Sequence, residues 1–554
     1  KMINNPFMQF IRWSCKKLLD SQEHSVLSIV VPLSFLEAES YKFARKYLVD
    51  HFSTIWAASI DADGRTGIRS DSLFNTLQGR AVIVLAKKYG DNADVTEFHY
   101  ADFSHGSRRE KEAMLAADVE TLIARFSTHM LDRQTYSFMP TRPFDVEAYN
   151  KFWPISGENG QQAIFLKHCS GIKLAPTAIF THVKAAILKR RSREVATLGA
   201  EASRAWFAGQ DKPPKEDKLE AFRAALIQCG DTATMDNLLT TNTHLYSFRP
   251  YMRTNVLLWK DLLQQYARIG GGGTRLRPEI IKAYTNPTTI GFAMAHAPKD
   301  LNPTLSQFVS FCWYYPDNDM CTRGNSHIYM NQYPEGETGM VSNINVDMLN
   351  RITQVLETSE DTAARAVVFY AYAFLCSQVY LDEFEGALFT VHQTDKRARI
   401  PVVSDKDSFE RMASLGESLA MLERSDYQPE NQLGFDYESL MHQVPAGFRL
   451  TNSSDLFDEE NELLVLSDGR IRVEVPCPTA LQKLNISGYD VIKSVWIKFH
   501  SYAFTHCDFT GNDMKDLLDF LNTLNEHTRI VSQIDDVARR ILDGGVELLL
   551  PTIQ

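Results

Sequence analysis

Val26-Leu27-Ser28-Ile29-Val30-Val31-Pro32-Leu33-Ser34-Phe35-Leu36 is the stretch on which the fold turns. Its first six residues are an apolar run closed by Pro32, which reads as a strand buried on both faces, the kind that parallel sheets contain. Upstream, Phe7, Phe10, Ile11, Cys15, Leu18 and Leu19 recur at helical spacing, with Lys16 and Lys17 near the end, where cations complement the helix dipole. Downstream, residues 35–52 return to helical spacing through Phe35, Leu36, Tyr41, Phe43, Ala44 and Leu48. Strands are expected again over Thr54 to Ile60 and Ala81 to Ala86. This alternation predicts an α/β unit with part of a twisted sheet. The unit reads as incomplete, because nothing before Phe7 supplies the first strand and glycine-rich turn of a doubly wound domain.

Beyond this unit, residues 105–130 are charged and read as a helical connector. From about 140 the pattern is mixed, rich in aromatics and in Pro or Asn turns at 140–143, 213–214, 285–287 and 315–318. Residues 343–425 are strongly helical, and 512–543 read as one long helix or two consecutive ones. A β-hairpin is expected over 462–475, where Leu463 to Leu466 and Ile471, Val473 and Val475 flank Asp468-Gly469.

With 554 residues, the chain is too long for a single hydrophobic core and suggests roughly three or four domains. Hydrophobic residues make up 44% and charged residues 23%, the balance of a folded globular protein. The longest apolar run, Ala366 to Cys376, is far shorter than the ~20 residues of a membrane span. No cleavable secretion signal is read at the N-terminus, and a cytoplasmic location is expected. Eight cysteines never reach Cys-x-x-Cys spacing, which argues against a zinc knuckle or dithiol motif and for reduced thiols. His296, His327, His500 and His506 also lack metal-ligand spacing, and Asp61-Ala62-Asp63-Gly64 lacks the later ligands of the calcium loop it resembles. The net charge of −11 excludes indiscriminate binding to nucleic acid, so any such site must be a local basic surface.

The order of elements over residues 7–88 resembles the second half of the catalytic domain of N6-adenine DNA methyltransferases. Phe10-Ile11-Arg12-Trp13 to Leu19 resembles the helix after that family's catalytic loop, and residues 28–36 resemble the strand and turn that follow. Leu73-Phe74 and Ala81-Val82-Ile83-Val84-Leu85 are similar to its last strand pair. Cys169-Ser170-Gly171-Ile172-Lys173, Phe248-Arg249-Pro250-Tyr251 and Gly488-Tyr489-Asp490-Val491-Ile492-Lys493 resemble landmarks of the C-terminal specificity region of type ISP restriction-modification enzymes.

The resemblance implies a partial Rossmann-like methyltransferase sheet followed by a large mixed α/β target-recognition region with a helical C-terminus. The boundaries expected are 1–104 for the methyltransferase-like half, 105–139 for the connector, and 140–340 and 341–554 for the two parts of the recognition region. It also implies double-stranded DNA as partner, with S-adenosylmethionine in the full enzyme and nuclease, helicase-like and cofactor-binding parts elsewhere in the same system. The family's glycine-rich cofactor turn and Asn-Pro-Pro-Tyr-type loop are not found; Asn4-Asn5-Pro6-Phe7 reads most plainly as a helix start with Asn5 capping and Pro6 at the first position, the alternative being a degenerate form of that loop without its second Pro. Methyl transfer needs the donor held close to an extruded base, so the chain alone is expected to be inactive, with no catalytic residue and no cofactor of its own.

Candidate DNA contacts are basic. Lys184, Lys189, Arg190, Arg191 and Arg193 form the densest run, suited to phosphates or simply to a solvated helix face. Arg249, Tyr251 and Arg253 lie in a segment alternating aromatics with arginines, suited to stacking and guanine contact or to a buried strand with structural arginines. Gly270 to Gly273 followed by Arg275 and Arg277 offers a loop against a phosphate backbone or a mobile surface loop, and Lys173 belongs to the first landmark. Phe311-Cys312-Trp313-Tyr314-Tyr315 reads as core. Two rival functions remain open: a divergent complete methyltransferase, and a protein-interaction subunit of a phage-defence complex, which the acidic balance and long C-terminal helices favour.

Overall fold

The computed structural model describes residues 6–21, 23–61, 72–74, 78–87, 96–104, 106–131, 133, 136–140, 144–157, 162–207, 213–230, 234–295, 307–321, 326–337, 339–389, 398–451, 456–503 and 507–551. The chain divides into two compact units, residues 1–144 with 385–396, and residues 145–384 with 397–554.

In the first unit, helix α1 (Pro6–Leu19) starts at its proline and buries Ile11, Ser14 and Cys15. The sheet that follows contains β1 (Ser25–Pro32), β2 (Thr54–Asp61), β3 (Arg80–Lys87), β4 (Glu97–Asp102) and β5 (Ser127–His129) in the order β1-β3-β2-β4-β5. β3 runs antiparallel to both β1 and β2, β4 runs parallel to β2, and β5 antiparallel to β4.

The expectation of a strand buried on both faces is corrected here. β1 is an edge strand in which Val26, Ser28 and Val30 are exposed, Val26 at 69%. A short apolar run does not reveal whether its second face will be covered. Residues 105–139 hold two short helices, Arg108–Leu115 with a Ser107–Glu110 capping box and Val119–Ile123 capped by Asp118, and then supply β5 to the sheet.

Two buried cations hold this unit together. Arg45, fully buried, donates to the carbonyls of Tyr136, Phe35, Ala38 and Glu37 at 2.6–3.1 Å, which ties the turn after β1 to a segment about ninety residues on. Lys111 pairs with Asp61 at 3.1 Å, both side chains out of solvent. Asp61 also accepts from the Ser72 hydroxyl and the Leu73 N–H.

The second unit is built on two four-stranded sheets. One orders Tyr315–Pro316, Thr243–Arg249, Met252–Leu257 and Thr181–His182, and the other Val309–Cys312, Gly291–Ala295, Ser326–Met330 and Cys169–Ser170. Against the second sheet lies Glu360–Cys376, which packs on Lys406–Met421 and on the 32-residue Gly511–Leu542. The Glu360–Cys376 helix is buried nearly all round, and the long apolar run identified in the sequence lies within it. No helix among the described residues is long and apolar enough to cross a membrane. The expected hairpin forms between Leu463–Ser467 and Arg472–Pro476, with Gly469 taking the left-handed position at φ 91°. Phe311 is core, as read.

Candidate nucleic-acid interface

The segments 169–173, 248–251 and 488–493, far apart in sequence, meet around Asp317 and Asp319. The Arg249 guanidinium meets Asp317 at 2.8 Å and approaches Asp319 at 3.6 Å. It lies 4.0 Å from the Phe248 ring centre and 5.6 Å from that of Tyr489. Asp317 also accepts from the Tyr246 hydroxyl at 2.6 Å. Backbone bonds join Ile172 to Pro316 and Asn318, and Gly171 is held so close that a Cβ there would sit 2.4 Å from the Asp317 carbonyl oxygen. Tyr489 donates to the Asp319 carbonyl at 2.7 Å. Burial works against the charge on both Arg249 and Asp317. It raises the aspartate, whereas the neighbouring Asp317 and Asp319 favour the charged guanidinium.

This arrangement changes the reading of several candidates. Arg249, with a side chain 10% exposed, is a structural cross-link and presents no free face to a base. Tyr251 is buried in the left-handed backbone region at φ 57°, and its hydroxyl lies 2.7 Å from His527 Nδ1. Its N–H donates to Glu423, whose carboxyl is pushed up to about 8 by burial. Arg191 is buried as well, donating to the carbonyls of Ile179 and Thr181 beside the Phe207 ring, and burial pulls it down to about 9. Arg191, Arg249 and Tyr251 are thus taken out of a surface interface, because their side chains are buried and bonded to internal partners.

The other members of the basic run sit around the Ala185–Ala205 helix. Lys184, just before it, pairs with Asp513 at 2.8 Å, Arg193 with Asp236 at 2.6 Å, and Arg190 lies over Trp206 at 4.9 Å. Lys189 is partly exposed and has no ion-pair partner among the described residues. Arg253 follows a bulge in the hairpin and donates to the Arg424 carbonyl. Lys173 and Arg275 face each other as a backbone-bridged pair, both exposed. Arg277 adopts φ 49° ahead of the Pro278–Tyr284 helix, with its Nε turned inside.

A cleft of about 290 Å³ opens beside Tyr251, Arg253, Trp496, Asp516, Asp519 and Phe520. It sets one arginine against two carboxylates, and Asp516 is raised by burial and by Asp513 and Asp519. That charge balance disfavours a phosphate. His500 stacks on Trp496 at 3.9 Å and is held neutral, its pKa pushed down to about 4 by burial. His296, His506, Asn4, Asn5 and residues 62–64 lie outside the described residues. Asp317, Glu423 and His527 escaped the sequence reading, since their only signal was a turn at 315–318 and helical positions with no motif.

In the first unit, the described strand ends carry no glycine-rich turn of the kind that holds a methyl donor.

A family model described as the Type ISP C-terminal specificity domain matches residues 163–524. No curated protein matches the chain in sequence. Among solved structures, the ATP-dependent Type ISP restriction-modification enzyme LlaBIII bound to DNA is similar at TM-score 0.57 and 13% identity, over 98% of this chain and 34% of that one. A nuclease-deletion mutant of the Type ISP enzyme LlaGI, in complex with a DNA substrate mimic, gives 0.56 and 14%, over 98% and 48%. The DrdV–DNA complex gives 0.57 and 14%, over 97% and 52%. The chain therefore spans between a third and about half of the length of these structures, and at such identity the likeness is one of fold.

Proposed function

This chain belongs to the family of Type ISP C-terminal specificity domains, and from that premise we propose that it reads a short sequence in double-stranded DNA as the target-recognition part of a restriction-modification enzyme. The observation that carries the reading is the family match over 163–524, within which the landmarks at 169–173, 248–251 and 488–493 meet around Asp317. Their joint role is to fix a scaffold on which surface side chains reach the duplex. Arg253, Lys173, Arg275, Lys189 and Arg190 are the remaining surface candidates.

The first unit is the back half of an adenine methyltransferase domain in this reading. Its support is a sheet in which β1 and β2, both preceded by a helix, run in the same direction with β3 reversed between them. Val26 and Val30 on the outer face of β1, and Phe10 and Trp13 on α1, are exposed apolar side chains of the kind that a donor-binding half would cover. S-adenosylmethionine would then be held by that other half, and this chain alone transfers no methyl group.

Selection from a randomised duplex pool, at about 50 and about 200 mM salt, tests the proposal, because phosphate contacts alone lose orders of magnitude in affinity across that range. Enrichment of one short motif at both salts is the expected result. Loss of all binding at the higher salt without enrichment would move the weight to an interaction subunit, docking through the exposed face of the first unit.

A further inference from the structure

We propose that Lys173, Arg275 and the backbone N–H groups of Gly272, Gly273 and Thr274 form one binding site for a phosphodiester group of the DNA backbone. The inference rests on the DNA-reading function above and assigns the atoms of one contact within it.

The glycine run is held at both ends. On one side, Gly271 N–H donates to the Tyr266 carbonyl at 2.8 Å, and the Gly270 carbonyl accepts from Lys218 at 2.8 Å. Gly271 is seated on the Tyr266 ring so closely that a Cβ would lie 2.4 Å from it, and the Tyr266 hydroxyl donates to Ala175 at 3.1 Å. On the other side, Lys173 and Arg275 exchange two backbone hydrogen bonds, of 3.0 and 2.7 Å. The loop is therefore anchored on both sides.

Between the anchors, the N–H groups of Gly272, Gly273 and Thr274 have no hydrogen-bond acceptor among the described residues. Gly272 and Gly273 are exposed and left-handed, with φ of 60° and 78°. With no side chain in the way, these unpaired N–H groups are open to an anion.

The flanking side chains supply an independent argument. Lys173 and Arg275 are a hydrogen-bonded antiparallel pair, so their side chains leave the same face, with backbones about 5.5 Å apart. Both are exposed, and neither has an ion-pair partner among the described residues. Like charges placed directly opposite repel, and an anion between them converts that repulsion into two attractions. A single phosphate oxygen cluster satisfies the pair and the amides together, by the same logic with which proteins set their register on a duplex through the backbone.

The full 554-residue chain and its Lys173→Gln/Arg275→Gln variant are titrated with a mixed-sequence duplex across a range of salt. The variant is expected to bind at least about tenfold more weakly at low salt, with a log–log salt slope shallower by about two units. In the unaltered chain with nitrogen-15 glycine labelling, the Gly272 and Gly273 amides are expected to shift on adding duplex, and to shift less with inorganic phosphate at equal phosphate concentration. If the unaltered chain binds duplex and the variant binds with the same slope, the site is refuted while the DNA-reading function stands. If the unaltered chain binds no duplex at all, both fall. Amides that respond to inorganic phosphate and ignore duplex would mark a free-phosphate site and refute the proposal. Should the variant fail to fold, the glycine shifts of the unaltered chain decide.

Discussion

The Arg249 guanidinium and the Asp317 carboxylate meet at 2.8 Å with both side chains nearly out of solvent, joining a hairpin end to a turn 68 residues away. Around them sit Gly171 and Tyr489, so four distant segments of the second unit meet at one ion pair.

Removing one partner of such a pair leaves an uncompensated buried charge. Arg249→Ala is expected to cost about 3–5 kcal/mol of stability, measured by denaturant unfolding without DNA present. A variant that kept full stability and lost only sequence preference would instead return Arg249 to the DNA surface.

Glu423 gives a pH dependence of definite sign. Burial raises its folded pKa to about 8, so the folded chain keeps a proton that the unfolded chain releases near the ordinary carboxylate pKa of about 4.3. Its contribution therefore lowers stability progressively as pH rises from about 4 to about 8, and is constant outside that window. Glu423→Gln keeps an acceptor for the Tyr251 N–H and removes the titration. Thermal melting should show the variant more stable than the unaltered chain at pH 8 and level with it near pH 4, and a gap that widened towards acid would contradict the assignment.

The basic run divides into structural and surface members. Arg191→Ala strands the carbonyls of Ile179 and Thr181 and is expected to cost roughly 1–3 kcal/mol, whereas Lys189→Ala should leave unfolding unchanged. In duplex titrations, Lys189→Ala is expected to weaken every sequence alike and to reduce the salt slope by about one unit. Equal effects of the two substitutions on stability would show that burial does not separate them.

Helix packing in the second unit depends on one small residue. A Cβ at Gly416 would come within 2.0 Å of the Phe369 carbonyl oxygen on the neighbouring helix. Gly416→Ala should therefore push the Lys406–Met421 helix away from Glu360–Cys376 and cost roughly 1–3 kcal/mol, read by calorimetry.

The sequence by itself determined most of what depends on neighbours along the chain. The helix over Pro6–Leu19, the strands at Thr54–Asp61 and Arg80–Lys87, the hairpin around Gly469 and the long C-terminal helix all follow from periodicity and turn chemistry, which are local. The order of the landmarks was legible for the same reason. Only the tertiary structure decided what those residues face. It placed β1 at an edge with Val26 exposed, since an apolar run carries no record of whether a second layer will cover it. It turned Arg191, Arg249 and Tyr251 inward and left Lys173 and Arg275 outward, although all five are polar residues in motif-bearing segments. Whether a cation serves the core or a phosphate depends on carboxylates and carbonyls brought near it by folding, such as Asp317, and those partners are remote in sequence.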